Sequence, residues 1–160
     1  MVEIRDLRRD ETEFLRDMLY AAIDWNPARP LPPKEQLLEF PQLTMFYEDW
    51  GRAGDTGLVA EEDGRALGLA WYRFFTEEVH GEGYVDEATP EVAVAVVDGQ
   101  RGRGIGTALM DAIHARAREQ GVEQISLSVD ADNPAKRLYV RLGYLDVEGD
   151  EHGKMVFALA

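Results

Sequence analysis

The segment Arg101-Gly-Arg-Gly-Ile-Gly106 places a glycine at every second position just ahead of a helical pattern. A chain with this segment must turn a strand into a helix through a loop of bare backbone. Glycine has no Cβ, so Gly102, Gly104 and Gly106 let main-chain N–H groups converge. The helix start adds partial positive charge, which favours an anion there. Arg101 and Arg103 add full charges, and Thr107 offers a hydroxyl. The ligand implied is a phosphate or pyrophosphate. The glycines do not follow the G-x-G-x-x-G spacing of dinucleotide sites, and Ile105-Gly106-Thr107 lacks the lysine of a nucleotide P-loop. A plain corner would not require three glycines and two arginines in six residues.

The flanks give this loop its setting. Glu91 to Val97 is dense in valine and alanine, as expected of a strand buried on both faces. After the loop, Ile105, Ala108, Leu109, Ala112, Ile113 and Ala117 form the apolar stripe of a helix reaching about Gln120, with Gly121 as its C-cap. Upstream, Val2 to Leu7 alternates as a strand and Glu11 to Ile23 has helical spacing. Trp25 to Pro33 is a proline-rich loop, Lys34 to Phe40 a short helix, and Leu43 to Trp50 a weaker helical stretch. Leu58 to Glu62 and Arg65 to Phe75 form a hairpin through Asp63-Gly64. Thr76 to Thr89 is a long acidic loop. Gln124 to Val129 is a strand, Pro134 to Leu142 a helix ended by Gly143, and Tyr144 to Val147 and Met155 to Leu159 are closing strands. This order predicts one α/β (α+β) domain over residues 1–160. It has a mixed, mostly antiparallel sheet of about seven strands flanked by about four helices.

Composition removes several function classes. A formal net charge of −14 opposes general nucleic-acid binding. With no cysteine, there is no disulfide, thiolate nucleophile or thiolate metal site. His80, His114 and His152 have no partner at metal-ligand spacing, so no metal is expected. No apolar run nears the ~20 residues of a membrane helix, and no signal peptide is evident, so a cytoplasmic protein without membrane attachment is expected.

Glu91 to Val97 followed by Gln100-Arg-Gly-Arg-Gly-Ile-Gly-Thr-Ala-Leu109 resembles the coenzyme A-binding core of the GNAT superfamily of N-acetyltransferases. Arg101, Gly104 and Gly106 match its R/Q-x-x-G-x-G/A signature. Asn133-Pro-Ala-Lys-Arg-Leu-Tyr-Val-Arg-Leu-Gly-Tyr144 is similar to the second signature. The resemblance covers about Thr89 to the C-terminus, while the first half matches in element order only.

The resemblance implies acetyl-CoA as co-substrate and an amine, small-molecule or peptide, as acceptor. A homodimer is common among similar proteins. A bulge in the strand before the loop would bring the backbone of Val94, Ala95 and Val96 to the pantetheine and the thioester, and one N–H there could hold an oxyanion. The backbone from Gly102 through Arg103, Gly104, Ile105 and Gly106 to Thr107 would hold the pyrophosphate. Tyr139 matches the family's general acid, and a phenol can protonate a departing thiolate. Asn133 would contact the pantetheine arm; many family members carry the Asn one residue upstream, where this chain has Asp132.

The attacking amine must lose a proton, and a carboxylate suits that task. Glu91, at the start of the strand leading to the thioester, is the first candidate. Glu61, Glu78, His80, Glu82 and Asp86 are alternatives. The acceptor is expected among the first two helices and the Thr76–Thr89 loop. Trp25, Phe46, Tyr47, Trp50, Trp71, Tyr72, Phe74, Phe75 and Tyr84 concentrate there, either as core or as walls for a cation. Tyr72 and Tyr84 are polar enough to line such a pocket. Two other readings are a non-catalytic acyl-CoA sensor and a transferase for longer acyl groups.

Overall fold

The computed structural model describes Met1–Ala160. Seven strands form one sheet: β1 (Glu3–Asp6), β2 (Thr56–Glu62), β3 (Arg65–Arg73), β4 (Glu91–Val96), β5 (Gln124–Ser128), β6 (Leu145–Asp146) and β7 (Lys154–Ala158). Their order is β1-β2-β3-β4-β5-β7-β6. Every pairing is antiparallel except that of β4 with β5. The mixed, mostly antiparallel sheet is therefore as expected. No helix is long and apolar enough to cross a membrane.

Five helices surround the sheet: α1 (Thr12–Ile23), α2 (Lys34–Leu37), α3 (Pro41–Thr44), α4 (Ile105–Glu119) and α5 (Lys136–Leu142). Two boundaries differ from expectation near Pro41. The residue before a proline is disfavoured in helical conformation, and Phe40 is extended with ψ 133°, so α2 stops at Leu37. Pro41 then opens α3 at its first turn, where a missing N–H costs nothing. The helical stretch expected from Leu43 to Trp50 reduces to this short helix and turns, and Asp49 leaves helical space with φ +52°.

The two faces of the sheet bury separate cores. On one, Leu109, Met110, Ile113 and Ala117 of α4 and Tyr139 of α5 pack over Leu58, Ala70, Val92, Ile125 and Leu127. On the other, Leu15, Met18 and Leu19 of α1 cover Val59, Leu69, Trp71 and Ala95. The side-chain alternation of β4 thus supplies both cores. Helix α4 ends in a Schellman motif: the Val122 N–H donates to Ala117 and the Gly121 N–H to Arg118, with Gly121 at φ +79°.

Leu109, in the first half of α4, is fully buried against the sheet. Leu109→Ala should cost about 2–5 kcal/mol through lost burial and a residual cavity. Urea unfolding measures this as a lower midpoint at unchanged slope.

Candidate active site

A cavity of about 500 Å³ opens where β4 and β5 part. They pair only at Glu91 with Ser126, where the Ser126 N–H donates to the Pro90 carbonyl at 3.0 Å. Beyond that point β5 turns to β7, with which it pairs over its whole length. On its other side, β4 runs in unbroken register with β3 from Glu91 to Val96. The bulge expected at Val94, Ala95 and Val96 is therefore absent from this ladder, and the divergence of β5 makes the opening instead.

The ladder fixes which main-chain groups face the opening. The Val97 N–H donates to Leu67 on β3, so by the two-residue alternation of an antiparallel pair Val94 and Val96 turn their N–H and C=O toward the cavity. Their side chains pack on the α4 face, while Ala95 joins the α1 core.

At the cavity's outer end lies the glycine loop. No backbone N–H from Arg101 to Thr107 donates within the protein; the first that does is that of Ala108, to Gly104. Gly102 and Gly104 have φ +80° and +78°, a conformation that other residues rarely adopt. This leaves a run of free donors at the start of a 15-residue helix. Arg101, Gly102, Gly104, Ile105, Gly106 and Thr107 line the cavity. Arg103 does not. Its guanidinium bonds Gln100 Oε1 at 2.6 Å and Glu62 at 3.0 Å, which ties the loop to the β2–β3 hairpin. The arginine that joins Arg101 at the opening is Arg141 of α5, which lines the cavity and donates to Thr107 Oγ1 at 3.2 Å. Arg141 was not among the expected site residues. Its place two residues after Tyr139 in the second signature was the available signal.

Tyr139 and Asn133 also line the cavity. Asn133 Oδ1 accepts the Ala135 N–H at 2.9 Å, ordering the entry to α5. Tyr139 is 7% exposed, and burial pushes its hydroxyl up to about 12. It therefore stays protonated across the physiological range. Behind it Tyr144 contacts His114 Nε2 at 2.7 Å, and burial pushes His114 down to about 4, so this histidine is neutral core.

Glu91 sits where the two strands begin to part, with its side chain outside the cavity. The Gly81 N–H donates to Oε1 at 3.0 Å, and the Gly83 N–H lies beside it. A Cβ on Gly81 would come within 2.6 Å of this carboxylate, so the loop folds this tightly over Glu91 only because residue 81 is bare. Burial pushes the Glu91 carboxyl up to about 7, and the two N–H groups oppose that rise. Among the alternatives, Glu61 is committed to Arg5 at 2.8 Å near the far edge of the sheet. Glu82 lies 3.8 Å from His152, and Asp86 caps its own turn through the Ala88 N–H. His80 stacks on Tyr84, with 4.2 Å between ring centroids.

Of the aromatic residues expected to wall an acceptor pocket, only Trp25 lines the cavity. Trp71, Tyr72 and Phe75 are core. The Tyr72 hydroxyl points the other way, to Gln120 at the end of α4. Trp25 carries the Arg29 guanidinium over its ring at 5.4 Å, and Arg29 reaches Asp130 beyond β5 at 3.7 Å. The loop after α1 thus straps one side of the opening.

A sequence model described as the acetyltransferase (GNAT) family matches residues 6–144. The chain belongs to this family. It is 32% identical over 131 residues to the mycothiol acetyltransferase of Saccharomonospora viridis, covering 81% of this chain and 40% of that protein. It is 36% identical over 114 residues to the L-2,4-diaminobutyric acid acetyltransferase of Nocardia farcinica, covering 62% and 58%. The chain thus spans less than two thirds of either relative. A GNAT family acetyltransferase from Brucella melitensis, solved in complex with acetyl-CoA, shares the fold. Its TM-score is 0.64 at 20% identity over 100% of this chain and 89% of that one.

Glu91 gives this GNAT chain a measurable pH signature. A carboxyl whose folded value is raised stabilises the fold fully below its unfolded value of 4.5, and that contribution is lost as pH rises through about 7. Glu91→Gln should match wild type near pH 4 and exceed it by about 3 kcal/mol above pH 8, at ~1.4 kcal/mol per unit. Urea unfolding across this range checks the prediction.

Proposed function

We propose that this chain transfers an acetyl group from acetyl-CoA to a primary amine by direct attack. The observation that carries the reading is the joining of two main-chain features in one cavity. They are the run of free N–H donors from Arg101 to Thr107 and the unpaired edge of β4 at Val94 and Val96. The first suits a pyrophosphate. The second offers an extended amide-bearing arm a strand to pair with, as a missing β5 would. Arg101 and Arg141 supply positive charge at the phosphate end of an otherwise acidic chain.

The chemistry combines groups that line this opening with Glu91, which lies outside it where β4 and β5 begin to part. Glu91, acting through water, accepts the proton of the attacking amine, and a carboxyl near 7 is matched to that task at neutral pH. The amine nitrogen bonds to the thioester carbonyl carbon, and the C–S bond breaks. An N–H of Val94 or Val96 stabilises charge developing on the carbonyl oxygen. Tyr139 gives its proton to the departing sulfur. Burial pushes the Tyr139 hydroxyl up to about 12, so it holds its proton at neutral pH until the sulfur departs. The relatives' names carry mycothiol and L-2,4-diaminobutyric acid, which supports a small-molecule amine over a peptide.

Released CoA thiol can be followed directly, since the chain has no cysteine to raise the background. Across a panel of small amines, Tyr139→Phe should lower kcat by about 10²-fold or more while leaving CoA binding by calorimetry intact. A panel in which no amine raises thiol release while CoA still binds would favour the sensor reading. Wild-type kcat/KM should fall on an acidic limb near pH 7, and Glu91→Gln should flatten that limb.

A further inference from the structure

Arg73 is the cross-strand partner of Glu91 in the β3–β4 ladder, so the two side chains leave the same face of the sheet roughly 5 Å apart at Cβ. They do not pair. The Arg73 guanidinium turns toward the β2 side and grips Asp55 with both arms: Nε to Oδ1 at 2.9 Å and Nη2 to Oδ2 at 2.7 Å. Its remaining nitrogen bonds the carbonyls of Met45 and Glu48 at 3.0 and 2.7 Å, and its charge lies over the Trp50 ring. Both side chains of this ion pair are 2% exposed.

The other groups that face Glu91 are few. From the loop above come the neutral N–H groups of Gly81 and Gly83, together with His80. From β7 comes Lys154, which has its own aspartate, Asp150, at 4.0 Å. Phe46 closes against the same loop at Gly81. Each full cation near Glu91 is thus shared with a different carboxylate, and the direct hydrogen bond on Glu91 comes from an amide.

We propose that Asp55 is a positioning residue for the base: by holding and neutralising Arg73, it keeps that arginine from pairing with Glu91. This rests on Glu91 serving as the base. The ion pair presents almost no net charge to its neighbour on β4. Without Asp55's charge, a buried cation stands beside Glu91 whether or not the guanidinium swings across. Without Arg73, a buried anion stands there instead. The pair also pins the segment before β2, because Asp55 Oδ2 accepts the N–H groups of Gly51 and Arg52. A purely structural role would stop at that pinning.

The test is the ¹³C titration of the Glu91 carboxyl in full-length protein, on variants that keep the wild-type circular dichroism spectrum. Asp55→Asn should lower the Glu91 midpoint by about 1–3 units, and Arg73→Met should raise it. The double variant should return it close to wild type. The acidic limb of kcat/KM should follow in the same directions. A midpoint unmoved in whichever single variant folds overturns the proposal, as does a full-unit shift in the double variant. The titration is read on the carboxyl itself, so its failure is separable from failure of Glu91 as base. That second failure would appear as an acidic limb unchanged by Glu91→Gln.

Discussion

Strands β4 and β5 share one residue pair, Glu91 with Ser126, before their paths separate. A central strand left half-unpaired is costly, since main-chain N–H and C=O groups require partners. The fold sustains it because both strands are secured elsewhere. β4 keeps six paired residues with β3, and β5 keeps five with β7. Helix α4 connects β4 to β5 in the chain and packs on the core over β2, β3 and β4. The opening is thus a built feature of the sheet, and it points an unpaired strand edge at the same cavity as the glycine loop.

Charge follows a second rule at this place. The chain is strongly acidic, yet arginines at positions 101 and 141 line the cavity. Outside the cavity, where β4 and β5 begin to part, the arrangement reverses. Glu91 is buried under bare glycine backbone, and the cations nearest it are held by other carboxylates. The glycine-loop end of the cavity therefore favours anions, while burial beside the strand parting pushes the Glu91 carboxyl up to about 7.

Much of this was legible in the sequence because it lies in local pattern. The valine-alanine run, the glycine spacing and the stripe of α4 each depend on neighbours in the chain. Tyr139 and Asn133 were found through the second signature, and both line the cavity. What was missed depends on rotamers and on distant partners. Arg103 has the composition of a phosphate ligand, but Glu62, 41 residues away, takes its guanidinium. Arg141 reads as an ordinary helix arginine until the fold sets α5 against the loop at Thr107. Tyr72 and Trp71 are adjacent on β3 and face opposite cores, so their shared aromatic character gave no clue to a pocket. The opening itself came from strand divergence rather than from the expected bulge, and divergence leaves no mark in either strand's sequence.

The central claim is that the parted strands and the glycine loop together hold one extended thioester ligand. A crystal structure of this chain with acetyl-CoA tests it most directly. The account predicts the pyrophosphate on the N–H groups between Arg101 and Thr107, and the amide-bearing arm along Val94 and Val96. A pyrophosphate elsewhere, or an arm that leaves the β4 edge unpaired, would contradict it.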